Sequence, residues 1–106
     1  MILVTTQSIT GKRIVKTLGL VRGNTIRACH MGHDIMAEFK NFVGGEIDDY
    51  TAMMSQAREQ ALDRMIANAE ALGANAIIGV HFATCSTMQH TAELLAYGTA
   101  VIIEDE

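Results

Sequence analysis

The chain has 106 residues, 49% hydrophobic and 19% charged, with a formal net charge of −4 and no run of Lys or Arg. Nucleic-acid binding through phosphates is disfavoured without a basic face, and 5% aromatic residues leave few platforms for stacking bases. No segment approaches the roughly 18 apolar residues of a membrane span, and "MILVTTQSITGKR" lacks the basic start and long apolar centre of a signal peptide, so a cytoplasmic location is expected.

In chain order, "MILVTT" (1–6) is rich in β-branched residues and reads as a strand, followed by a turn at "SITGK". "RIVKTLGLV" (13–21) reads as a second strand. Gly23-Asn24 marks a bend, and "TIRACH" (25–30) resumes extended structure. "HDIMAEFKNFVGG" (33–45) places Ile35, Met36, Phe39, Phe42 and Val43 at helical spacing, with Asp34 able to cap the start. A longer helix is predicted over 48–72. Its apolar stripe is Tyr50, Met53, Met54, Ala57, Ala61, Met65, Ala69 and Leu72. Glu46, Asp48 and Asp49 suit its N-terminus, and Gly73 suits the left-handed position that ends helices. The methionines of the stripe read as core filling.

"NAIIGVHFATCSTM" (75–88) and "AELLAYGTAVII" (92–103) read as strands. In the last, Ala92, Leu94, Ala96, Gly98, Ala100 and Ile102 point one way, and Leu95, Tyr97, Val101 and Ile103 the other. Both faces are apolar, so both should be covered. One long helix covers one face; the other needs the short helix or a second subunit. Gly98 suggests a bulge or a close backbone approach. The order β–β–(short α)–α–β–β makes a single α+β domain over residues 1–106.

The motifs "VGGEIDDY" (43–50), "AREQALDRM" (57–65), "ALGANAIIGVHF" (71–82) and "AYGTAV" (96–101) occur in order. With the N-terminal "VTT…I.GK.IV..LGLV.G.T.RA", they resemble the YbjQ-like family, which is catalogued for heavy-metal binding. The resemblance covers essentially the whole chain. It implies a small antiparallel sheet packed against one long helix plus a short one. It also implies a ring-forming, dodecin-like homo-oligomer, a pentamer, and no established enzymatic activity.

Two groups of side chains carry metal chemistry. Cys29, His30 and His33 form C-H-x-x-H, whose residue types suit zinc or copper. If 29–30 lie in a strand, Cys29 and His30 point to opposite faces. His81, Cys85 and His90 form the second group. In a strand, His81 and Cys85 share a face about 13 Å apart, so one ion needs further ligands. These can come from 29–33, across the sheet or across a subunit boundary, or from repetition around a ring. The Cys and His of "CHMGHD" are not part of the family pattern, which Arg27-Ala28 and Asp34 fit. In a reducing cytosol both cysteines are expected as thiols. No nucleophile triad, P-loop or dinucleotide fingerprint is present, so no enzyme is expected. Three readings stand, in order of preference: a ring-forming protein binding a heavy metal or small soft ligand through Cys and His, a scaffold in which those residues are incidental, and a small hydrolase or thiol enzyme in which Cys85 pairs with His81 or His90.

Overall fold

A computed structural model of the chain describes residues 1–28, 45–88 and 91–106. Its elements are β1 (Ile2–Leu3), β2 (Lys12–Ala28), α1 (Gly45–Ala71), β3 (Ala76–Met88) and β4 (Thr91–Asp105). They form one four-stranded sheet in the order β1-β3-β4-β2. β4 pairs antiparallel with both β2 and β3, while β1 lies parallel to β3. The sheet is therefore mixed rather than wholly antiparallel. β1 is short, but the ladder continues past it: Val4 N–H donates to Ile77 O, and Thr6 O accepts from Gly79 N–H. Residues 33–44 of the short helix expected over 33–45, Asp34 and His33 among them, lie outside the described residues, as do Cys29, His30 and His90, while Gly45 begins α1.

The helix covers one face of the sheet, and small residues set how closely. Ala57, Ala61, Met65 and Ala69 recur every fourth position and are fully buried, which is one stripe of a 3.6-residue period. Ala61, Met65 and Ala69 pack on Val21, Ile77, Val80, Ala96 and Ala100. Met53 and Met54 are half-buried and Leu72 is exposed, so the stripe is tightest in its middle. The helix ends with Leu72 and Gly73 N–H donating to the carbonyls of Ala69 and Glu70, and Gly73 has the expected positive φ of 87°.

Gly23 is the point of closest approach. A Cβ built there would stand 2.2 Å from the carbonyl oxygen of Ala61 and 2.3 Å from the backbone nitrogen of Met65. The expected bend at Gly23-Asn24 is absent; β2 runs 17 residues through it. The glycine serves a helix resting on the strand, not a turn. Three hydrogen bonds join helix and strand beside it. Thr25 Oγ1 donates to Ala57 O at 3.2 Å, Arg64 Nη1 to Asn24 O at 2.5 Å, and Asn68 Nδ2 to Arg22 O at 2.7 Å. β2 is an edge strand, so the last two bonds occupy carbonyls that would otherwise invite another strand.

On the other face, Ala76, Ile78, Val101 and Ile103 form a second cluster, joined by Val4, Ile9 and Ile14. This end of the face is thus covered by the chain's own N-terminal segment. Asn75 pins the corner where helix passes to strand. Its side chain donates to Ile103 O at 2.8 Å and accepts from Ile103 N–H at 2.7 Å, as a strand neighbour would. At the sheet's tip, Lys12 pairs with Asp105 and Arg13 with Glu104. Further along, the same face has no cover among the described residues: Leu20 is 68% and Ile26 61% exposed. The radius of gyration is 17.5 Å, against about 13 Å for a compact domain of this size.

Candidate functional site on the open sheet face

The polar side chains of interest gather on the uncovered end of the sheet, and a bulge puts them there. Ile77 faces the helix, so strict alternation would send His81 and Cys85 to the helix side as well. The register instead slips between Ile78 and His81. Gly79 occupies the slip with a φ of 60°, a left-handed value that side chains resist. The extra residue keeps Val80 on the helix side and turns His81, Ala83 and Cys85 to the open face. Phe82 moves to the helix side, beyond the helix's reach, and is 44% exposed.

Pairing across β2, β4 and β3 then sets three rows on this face. Arg22, Tyr97 and His81 form the first, Asn24, Leu95 and Ala83 the second, and Ile26, Glu93 and Cys85 the third. The His81 ring stacks on Tyr97 with centroids 5.8 Å apart and planes at 22°. His81 Nδ1 lies 2.8 Å from Gly79 O; with the proton assigned to Nδ1 as donor, Nε2 is left toward solvent. Asn24 Nδ2 donates to a Glu93 carboxylate oxygen at 3.1 Å. A cavity of about 290 Å³ opens between Arg22, Asn24, Glu93 and Leu95.

Of the six metal-ligand candidates, Cys29, His30, His33, His81, Cys85 and His90, the described structure contains His81 and Cys85. They share a face, as the spacing predicts, but stand two rows apart, about 13 Å along the strand. Cys85 is an exposed free thiol whose cross-strand neighbour is Glu93. Among the described residues, no three His, Cys, Asp or Glu side chains converge to hold an ion. Zinc is usually held by four ligands, so the described donors of one chain do not fit a closed metal site. Arg58 on the helix donates to Ser55 Oγ at 3.1 Å. No motif in the sequence singles out Arg22, Asn24, Glu93 and Tyr97 as site residues. The alternation of β4 does put Glu93 and Tyr97 on one face, but the matching row from β2 is visible only once the register is known.

These features define a class: an α+β domain with one long helix on one face of a four-stranded mixed sheet, and a thiol- and imidazole-bearing surface on the other. Residues 1–104 match the family model YbjQ_1, described as "Putative heavy-metal-binding", and the chain belongs to that family. It is 56% identical over 106 residues to a UPF0145 protein of Clostridioides difficile, covering 100% of this chain and 95% of that one. A UPF0145 protein of Dehalococcoides mccartyi is 56% identical over 104 residues, covering 98% and 100%. One from the archaeon Thermococcus kodakarensis is 52% identical over 103 residues, covering 97% and 91%. A crystal structure of a protein of unknown function from Pediococcus pentosaceus, of the DUF74 family, superposes with a TM-score of 0.66 over 98% of each chain at 19% identity. That likeness establishes the shared fold. No helix among the described residues is long and apolar enough to cross a membrane.

Proposed function

We propose that the protein is a cytoplasmic, ring-forming homo-oligomer, pentameric, that takes a heavy metal or a small soft ligand through thiol and imidazole side chains. The observation that carries this reading is the exposed Cys85 thiol, with His81 on the same sheet face, at an end of that face that no described residue covers. Thiolate and imidazole are the ligands soft and borderline metals prefer, zinc and copper among them. One chain's described donors are too few, so the reading requires donors from neighbouring copies, where a single Cys85 repeats around the axis. Cys29, His30 and His33 are the further donors this chain's sequence offers. Self-association is supported by the elongated subunit and by exposed Leu20, Ile26 and Phe82, since apolar surface of this kind marks contact sites. Beyond Val80, moreover, the outer edge of β3 has no strand partner among the described residues.

Light scattering tests the assembly: the expected mass is several times the 11.5 kDa subunit, fivefold for a pentamer. Titration with Zn²⁺ and Cu⁺ tests the ligand. Binding is expected to weaken in Cys85→Ser and to vanish when Cys29 is also changed to Ser. Equal binding by the double variant would remove the metal reading and leave a scaffold whose Cys and His are incidental.

A further inference from the structure

We infer that the cavity between Arg22 and Glu93 binds a small zwitterion of the ω-amino-acid class, with a carboxylate and an ammonium group separated by a few methylenes. The inference uses neither thiol nor imidazole and stands apart from the metal reading. The register places the Cα atoms of Arg22 and Glu93 four residues apart along the sheet and one strand apart across it, a span of about 14 Å. Both residues line the same cavity. Yet they form no ion pair with one another: the ion pairs among the described residues are Lys12–Asp105 and Arg13–Glu104. A cation and an anion thus face one cavity from opposite ends without neutralising each other.

The remaining lining fits the same ligand. Asn24 holds one oxygen of Glu93, which fixes the carboxylate, and among the described residues nothing else donates to it, so its other oxygen can accept from an ammonium. Arg22 has no side-chain partner among the described residues, and its planar fork matches a carboxylate bidentately. Leu95 lies between the two charges and offers an apolar seat for methylenes. The volume of about 290 Å³ lies at the small end of ligand cavities. A simple anion would meet repulsion from Glu93, and a simple cation from Arg22. A molecule carrying both charges satisfies each end, so the selectivity comes from opposed charges. Separation of those charges across Leu95 favours an ω-amino acid over an α-amino acid.

The probe is γ-aminobutyrate, titrated into the metal-free, full-length protein and followed by NMR at the Leu95 methyls, with butyrate and butylammonium as controls. Saturable shifts are expected with γ-aminobutyrate, at least about tenfold tighter than with either control. Arg22→Gln and Glu93→Gln should each weaken binding by about tenfold or more while the far-UV circular dichroism stays unchanged. The charge-swapped variant, Arg22→Glu with Glu93→Arg, should bind again, because a zwitterion can turn end for end. Butyrate binding as tightly as γ-aminobutyrate, undiminished binding in either single variant, or no saturable shift at tens of millimolar ligand would overturn the inference. None of these outcomes bears on metal binding by Cys85→Ser, so the two proposals fail separately.

Discussion

Replacing Gly23 with Ala should be among the most damaging single-methyl changes this chain can suffer. The new Cβ would sit 2.2 Å from Ala61 O and 2.3 Å from Met65 N. Both are backbone atoms in the middle of a helix, so no rotamer change relieves the clash. To restore a separation of 3.0 Å, helix and strand must part by roughly 0.8 Å. That movement stretches the three bonds beside the contact, now 3.2, 2.5 and 2.7 Å long. Overpacking of this kind costs about 1–3 kcal/mol, and each weakened hydrogen bond adds up to about 1 kcal/mol. A total of about 3 kcal/mol is expected, or a melting temperature lower by about 12–20 °C for a domain near 100 residues. Urea and thermal denaturation followed by circular dichroism, at matched subunit concentrations because association adds apparent stability, would measure it. A loss below about 0.5 kcal/mol would refute the close-packing argument.

Asn75→Ala removes both side-chain bonds to Ile103 and should cost about 2–3 kcal/mol by leaving a partly buried donor and acceptor unpaired; thermal melts that match the parent would contradict this. Asn75→Asp keeps the acceptor for Ile103 N–H and loses the donor, so it should fall between the two. Gly79→Val forces a β-branched residue to a φ of 60° and should cost at least about 1–2 kcal/mol. It should also disturb the His81–Tyr97 stack, seen as altered ring-current shifts at His81; an unmoved His81 resonance would detach the stack from the bulge. The hydrogen bond and the charge of Lys12 hold the Asp105 carboxyl below its ordinary value of 3.8. Because the folded value is the lower one, the contribution is present above about pH 4 and is lost as pH falls through the folded value. Asp105→Asn should therefore be slightly less stable than the parent at neutral pH and indistinguishable from it in strong acid. The difference should shrink with salt, since the group is exposed; an equal gap at all pH values would contradict the assignment.

What the sequence reveals of this chain follows from which signals are local. The helix over 48–72 is legible because Ala57, Ala61, Met65 and Ala69 repeat its period, and the observed Gly45–Ala71 agrees closely. The two faces of the last strand are legible for the same reason: Leu94, Ala96 and Ala100 meet the helix side, and Val101 and Ile103 the other. Gly98 is read as a bulge or a close backbone approach at an interface; within the chain, a Cβ built there would stand 2.8 Å from Ile77 Cγ2 and 3.0 Å from Ile78 O. Gly23 carries the same chemistry and misleads, because a glycine that makes room for a helix and one that makes a turn look alike in one dimension. The parallel docking of β1, and the cover that Val4 and Ile9 give the second face, join the start of the chain to residues of β3 and β4 far along the sequence, which no local period encodes.

The open-face site shows the same division in a sharper form. That His81 and Cys85 share a face needs only their even spacing. Which face they share depends on one residue: the bulge at Gly79 reverses the parity of everything after it. Without the bulge, the imidazole and thiol would point toward the helix side, while Phe82 would lie on the open face. With it, Phe82 is left beyond the helix's cover, and Arg22, Glu93, His81 and Cys85 occupy one continuous surface. A left-handed glycine in mid-strand thus exchanges an apolar side chain for chemical ones on the exposed side of the sheet. The fold tolerates that exchange because the helix packs mainly on β2 and β4, so the far half of β3 carries little of the core.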